Sequence, residues 1–190
     1  MKRGLLIILS GPSGVGKGTV RKIFFEREDL NLAFSISMTT RAPRNGEVDG
    51  VDYNFVSKER FLEAIENNEL LEYAEFVGNF YGTSIAAVDK LRDEGKNVIL
   101  EIEVEGAKQV IERVPDCLSI FLVPPSMDEL RRRIEGRQSE AQDIINERLE
   151  KAAKEMDLMN HYRYVIRNDN PQIAADAISL IIRRNIETAL

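Results

Sequence analysis

The chain contains one cysteine and one histidine in 190 residues. Cys117 has no second cysteine to pair with, which fits a reducing compartment, and it reads as a small buried residue beside a strand. His161 lies among Met159, Asn160 and Tyr162, with no serine, cysteine or metal-ligand pattern around it, and is poor evidence for a general base. No apolar run reaches the length that spans a bilayer. The few apolar residues after Met1-Lys2-Arg3-Gly4 are too short for a secretory h-region, so a cytoplasmic protein with no membrane partner is expected. A basic excess is also lacking. Lys and Arg number 26 against 32 Asp and Glu, and the net charge of −6 argues against a general nucleic-acid binder. A mononucleotide, by contrast, needs only a local positive cluster. The composition, 43% hydrophobic and 31% charged, is that of a globular chain of one-domain size.

Leu5–Leu9, Asn97–Leu100, Leu118–Val123 and Tyr164–Ile166 are short apolar runs, each followed by a glycine, proline or polar turn, and they predict strands buried on both faces. Helical patterns lie between them at Val20–Glu28, Ser84–Asp93, Ser126–Glu135 and Asp143–Met159, the last with Ile145, Leu149, Ala152, Met156 and Met159 on one face. Ser126 and Glu129 have capping-box spacing, and Asn170-Pro171 opens a final helix with an N-cap and a first-turn proline. Alternating strand and helix predict an α/β fold with a mostly parallel sheet flanked by helices. Residues 34–83 break the rhythm with shorter, polar-alternating strands and one helix near 58–67, and predict an inserted lobe.

Gly11-Pro12-Ser13-Gly14-Val15-Gly16-Lys17-Gly18-Thr19 joins the first strand to a helix. The pattern G-x-x-x-x-G-K in that setting is the phosphate-cradling loop: glycines let backbone N–H groups approach phosphate oxygens, the helix N-terminus favours anions, and Lys17 can follow charge on a transferred phosphoryl group. A Ser or Thr usually follows the lysine and binds Mg²⁺. Here Gly18 stands in that place, and the role moves to the hydroxyl of Thr19.

Ser37-Met-Thr-Thr-Arg41-Ala-Pro-Arg44-Asn-Gly-Glu47 places two guanidinium groups in a proline-containing loop, suited with Tyr53 to a phosphate dianion. By itself such a loop is more often a solvated one with incidental charge. Ser37–Glu47, the following Val48–Ser57, Leu71-Glu72-Tyr-Ala-Glu-Phe-Val-Gly-Asn-Phe-Tyr81-Gly82-Thr83 and the glycine loop together closely resemble the guanylate kinases, in order and spacing, over essentially the whole chain. The resemblance implies a P-loop NTPase core with an inserted GMP-binding lobe and a helical lid: one domain over 1–190, with core 1–33, 84–124 and 151–190, insertion 34–83 and lid 125–150. It implies transfer of the γ-phosphoryl group of ATP to GMP, and to dGMP, in purine nucleotide metabolism and GMP recycling.

By the same resemblance, Arg41, Arg44, Tyr53 and Tyr81 hold the GMP phosphate, Glu47 orients that cluster, and Ser37, Glu72, Thr83 and Glu103 surround the guanine. The chemistry is coherent, because guanine presents N1–H and its exocyclic N2 amine side by side and one carboxylate can accept both, whereas adenine has neither donor at those positions. Relatives commonly carry Asp where this chain has Glu103. Glu101, at the end of its strand, stands where a Mg²⁺-linked carboxylate belongs, and Glu105 reads as solvent-facing. Arg133 and Arg137 are implied toward ATP and Arg148 toward the transferred phosphate, while Arg131 and Arg132 read as surface charges. Gly11, Pro12, Ser13, Gly14, Val15, Gly16, Lys17, Gly18 and Thr19 hold the ATP phosphates. Asn168 and Asp169 match a segment near the adenine, and a cap for the last helix is an almost equal reading. ATP, GMP and Mg²⁺ are thus the implied ligands, with Lys17, Arg41, Arg137 and Arg148 as catalytic groups. Oligomeric state stays open between monomer and homodimer. A non-catalytic relative would lose Gly16-Lys17, and a sugar-phosphate kinase would lack Ser37, Glu72 and Thr83.

Overall fold

In chain order the elements are β1 (Leu6–Ser10), α1 (Lys17–Phe25), β2 (Leu32–Phe34), β3 (Met38–Thr39), β4 (Asn54–Phe55), α2 (Lys58–Glu66), β5 (Leu70–Phe76), β6 (Asn79–Ser84), α3 (Ile85–Asp93), β7 (Asn97–Glu101), α4 (Val104–Arg113), β8 (Leu118–Val123), α5 (Met127–Glu135), α6 (Gln142–Met156), β9 (Tyr164–Arg167) and α7 (Pro171–Thr188). The computed structural model describes residues 2–76, 78–136 and 142–188. One sheet runs β2-β7-β1-β8-β9 and a second runs β4-β3-β6-β5. The chain divides into two compact units. One comprises Met1–Leu6, Ala33–Leu100 and Glu105–Cys117, and the other Ile7–Leu32, Glu101–Val104 and Leu118–Leu190.

In the second unit β1, β8 and β9 are parallel neighbours, with Ile7 opposite Leu118 and Ile120 opposite Tyr164. β1 and β8 are buried along nearly their whole length, which is why their sequences read as unbroken apolar runs. α7 packs on α1, β8 and β9. Asn170 caps it, its Oδ1 accepting from the N–H groups of Gln172 and Ile173 at 2.8 and 3.3 Å. The cap is therefore Asn170, and the capping reading of Asn168 and Asp169 is corrected. α5 begins as its sequence predicts, with Ser126 Oγ accepting from Glu129 N–H at 3.1 Å. α5 and α6 share a core of Leu130, Ile134, Ile145, Leu149 and Ala152. α6 ends at Met156, short of the predicted Met159, where a 3-10 turn over Met159–His161 takes over.

In the first unit, β5 and β6 pair antiparallel, with Glu72 opposite Thr83 and a register shift between Leu70 and Glu72. Leu71 and Glu72 are both buried, although neighbours on a regular strand point to opposite faces. Phe61, Ala64 and Leu70 form the core beneath this hairpin, and the Phe61 and Phe80 rings stack at 5.5 Å. The Gln109 side chain bonds to both the N–H and the carbonyl of Tyr73, at 3.1 and 2.9 Å, and Arg113 donates to the Leu70 carbonyl, tying these residues of α4 to β5.

Three further sequence expectations shift. α1 starts at Lys17 rather than Val20, because the glycine loop leads directly into it. Asn79–Ser84 is a strand that the apolar pattern does not mark. α4 is likewise unmarked: its buried Val104, Ala107 and Val110 have helical spacing, but they follow an acidic strand end that dominates the local pattern.

Phe61 is fully buried. Phe61→Ala should destabilise the protein by about 3–5 kcal/mol, measured by equilibrium urea unfolding, since the emptied volume lies in a closed core.

Candidate active site

The loop between β1 and α1 is shaped by close approach. Gly14 has φ 86° and Gly16 φ 101°, a region that side chains disfavour. A Cβ on Gly14 would come within 2.9 Å of Ile134 Cγ1, and one on Gly16 within 2.7 Å of Asn168 Nδ2. Asn168 is itself buried and donates to the Val15 carbonyl at 2.8 Å. Arg133 donates to the same carbonyl at 3.2 Å and to the Asn168 carbonyl at 3.1 Å, while Glu129 holds its Nε at 3.1 Å. Two elements far apart in sequence thus pin one peptide of the loop. Lys17 Nζ donates to the carbonyls of Gly11 and Pro12, which places the ammonium inside the loop.

Beside the loop lies a cavity of about 730 Å³, lined by Lys17, Thr19, Lys22, Glu101, Glu103 and Glu155 among others. Burial holds the Lys17 ammonium below its ordinary pKa, and Glu101, Glu155 and Glu103 oppose that shift. Glu101 accepts from Arg21 Nε at 2.6 Å. Glu103 accepts from Lys151 Nζ at 2.8 Å, and Lys151 also lies 3.7 Å from Glu155. Arg148 donates to Ser13 Oγ at 2.9 Å, which brings a guanidinium to the rim of the loop. The oxygen donors around the cavity, the Thr19 hydroxyl and the Glu101 carboxylate, suit Mg²⁺. No group of three or more His, Cys, Asp or Glu side chains placed to hold a metal ion occurs among the described residues.

The first unit carries the arginine loop. Arg41 and Glu47 form a two-pronged ion pair at 2.9 and 3.0 Å, and Glu47 also accepts from the Arg44 N–H at 2.7 Å. The Arg41 guanidinium lies 5.4 Å from the Tyr53 ring centroid and 5.8 Å from that of Phe55. The Tyr53 and Tyr81 rings meet edge to face at 6.0 Å. The Arg44 side chain is exposed. Two threonines fix where this loop leaves the sheet: Thr39 Oγ1 donates to the Phe80 carbonyl at 2.9 Å, and Thr40 Oγ1 accepts from the Phe80 N–H at 2.9 Å.

Glu72 is the one buried carboxylate among the described residues of this unit, 5% exposed. Thr83 Oγ1 donates to its Oε1 at 2.5 Å, a contact made by the cross-strand register of β5 and β6. Burial pushes the Glu72 carboxyl above its ordinary pKa, and the Thr83 bond partly opposes this.

The residues expected at ATP and its Mg²⁺, from Gly11 to Thr19 with Glu101, Arg133, Arg148, Asn168 and Asp169, all fall in the second unit, and Asp169 accepts from Arg167. Ser37, Arg41, Arg44, Glu47, Tyr53, Glu72, Tyr81 and Thr83 fall in the first. Glu103, expected at the guanine, belongs to the second unit and is paired with Lys151. Arg137 lies outside the described residues. Arg132 is a surface charge paired to Glu129, and Arg131 is paired to Glu135. Sequence reasoning misses Thr39, Thr40, Lys151 and Glu155. Thr39 and Thr40 lie inside the arginine-loop segment and Lys151 and Glu155 outside every motif, but no motif assigns any of them a role, and only their tertiary partners mark them.

A carboxyl whose pKa is raised by folding makes the folded state bind more protons than the unfolded one, so its contribution turns unfavourable as pH rises from about 4.5 towards the raised value. Glu72→Gln removes that dependence. The variant should melt near wild type below about pH 4.5, increasingly above it as pH rises to the raised value, and by a constant margin beyond, measured by thermal unfolding of the ligand-free protein at each pH.

The guanylate kinase family model matches residues 3–185. The chain is 56% identical over 181 residues to a guanylate kinase of Bacillus cereus, covering 95% of this chain and 88% of that one. It is 54% identical to a guanylate kinase of Lactococcus lactis subsp. lactis over the same shares of each chain. The crystal structure of guanylate kinase from Anaplasma phagocytophilum superposes with a TM-score of 0.75 at 39% identity, covering 96% of this chain and 86% of that one. The family model spans nearly the whole chain and the Bacillus and Lactococcus relatives share more than half of its residues, so the chain belongs to the guanylate kinase family.

Proposed function

We propose that this protein transfers the γ-phosphoryl group of ATP to GMP, and to dGMP, giving ADP and the nucleoside diphosphate. Glu72 carries this reading. A carboxylate buried at some cost to the fold, with a hydroxyl from Thr83 on one oxygen, suits adjacent N–H donors of a guanine and rejects an adenine. Thr83 and Ser37 complete the base pocket on this reading, and Glu103 is a further candidate from the resemblance. Arg41, held by Glu47, and Arg44 bind the acceptor phosphate with Tyr53 and Tyr81.

An oxygen of the acceptor phosphate attacks the γ-phosphorus as the bond to the β–γ bridging oxygen breaks, and ADP leaves with that electron pair. The acceptor is already largely ionised, so no general base is needed and His161 has no part in the transfer. Lys17, fixed by the carbonyls of Gly11 and Pro12, follows the charge onto the leaving oxygens. Arg148, already at Ser13, neutralises the transferring group from the lid at 125–150, with Arg137 assigned beside it by the resemblance. Arg133 and Asn168 hold the loop in shape. Thr19 and Glu101 would hold Mg²⁺, which supplies charge neutralisation at the phosphates. The insertion at 34–83 serves the acceptor and the core the donor. No helix among the described residues is long and apolar enough to cross a membrane, and the cytoplasm is the proposed location.

ADP release measured in a coupled assay with GMP, AMP, CMP and UMP should be fast only with GMP, and equal rates with AMP would contradict the assignment. Lys17→Ala should slow transfer by at least about 10³-fold while GMP binding, measured by calorimetry, changes little. Arg148→Ala should lower kcat far more than it raises the Kd for GMP, because its contact is made mainly in the transition state.

A further inference from the structure

Gly106 stands in the first turn of α4, a place that the phosphate, base and lid motifs leave without a role. It is buried, and its φ is not among the positive values that call for glycine elsewhere in the chain. Glycine is a poor helix former, second only to proline, so the backbone gives no reason for it here and some reason against it. The reason lies in what a side chain would meet. A Cβ at this position would come to 2.5 Å from Glu72 Oε2, 3.3 Å from Glu72 Cδ and 3.6 Å from Glu72 Cγ, and these are its three nearest neighbours. The other side of the same carboxylate is fixed by Thr83 at 2.5 Å, and its strand is fixed to α4 by the Tyr73–Gln109 bonds. Glu72 therefore cannot slide away from an added methyl group without losing the Thr83 bond or moving β5 on α4.

We infer that Gly106 is a specificity-determining positioning residue: the space left by its missing side chain sets where the Glu72 carboxylate sits and so sets the choice of guanine. This rests on Glu72 being the base reader. The carboxylate lies over the opening turn of a helix, whose N–H ends also favour negative charge there.

The test is a pair of double-mutant cycles on the full chain. Gly106→Ala should raise the KM for GMP at least about fivefold and leave the KM for ATP within about twofold, because the damage is confined to one hydrogen-bonding group. In the Glu72→Gln background the same change should add little, since the charge whose position it controls is already gone. Unchanged GMP kinetics in Gly106→Ala, or an effect fully additive to that of Glu72→Gln, would overturn the inference. If Glu72→Gln itself leaves the GMP to AMP preference intact, the reading of Glu72 fails, which is a different result. Should Gly106→Ala fold poorly, thermal melts decide. In the Glu72→Ala background Gly106→Ala should raise the melting temperature, as a helix-favouring change does once the carboxylate is removed. A drop as large as in wild type would show that glycine is needed for some other neighbour.

Discussion

A carboxylate kept out of water is the constraint around which the first unit is organised. Charge in a low-dielectric pocket is unfavourable unless hydrogen-bonded, and the fold accepts that cost at Glu72. Several features follow from it. The register shift after Leu70 turns Glu72 inward beside Leu71, against ordinary strand alternation. The hairpin register sets Thr83 directly opposite, so its hydroxyl reaches Oε1. The helix α4, tied to β5 through Gln109, offers a glycine where any side chain would strike the carboxylate. An ionised carboxylate can accept about four hydrogen bonds. Thr83 supplies one, and two adjacent N–H groups of a guanine are suited to two of the remaining positions.

The second unit uses charge in a different way. Lys17 is half-buried, and desolvation, which lowers the pKa of its ammonium, is opposed by Glu101, Glu155 and Glu103 around the same cavity. These carboxylates favour the charged ammonium, and Arg21 and Lys151 hold two of them in place. The loop itself is kept in shape by bonds to a single carbonyl, that of Val15, from Arg133 on α5 and Asn168 beyond β9. Catalysis of phosphoryl transfer depends mainly on placing charges in advance, and these contacts place them before any substrate arrives.

Features carried by short stretches of chain are legible in the sequence. The buried strands show as apolar runs because both faces are covered, and the phosphate loop shows because its glycines and lysine are consecutive. Ser84, Ser126 and Asn170 announce helix starts because capping needs a hydroxyl or amide at one fixed position. Features that depend on partners distant in sequence are hidden. Nothing near Asn168 indicates that it reaches Val15, and nothing near Glu103 indicates Lys151. Gly106 looks like a weak point in a helix until Glu72 is seen beside it. α4 is hidden for a related reason, its start overlapping the acidic strand end.

The role of Glu72 is tested most directly by removing donors from the base one at a time. Inosine monophosphate keeps the N1–H of GMP and lacks the amine at C2, and AMP lacks both the N1–H and the C2 amine. In wild type, kcat/KM should fall from GMP to inosine monophosphate by roughly 5- to 150-fold, the cost of about 1–3 kcal/mol for one unmet buried hydrogen bond, and fall again to AMP. In Glu72→Gln the ladder should collapse, chiefly through loss of activity on GMP. A wild-type enzyme indifferent to the exocyclic amine, or a variant that keeps the full ladder, would contradict the assignment of Glu72 as the group that reads guanine.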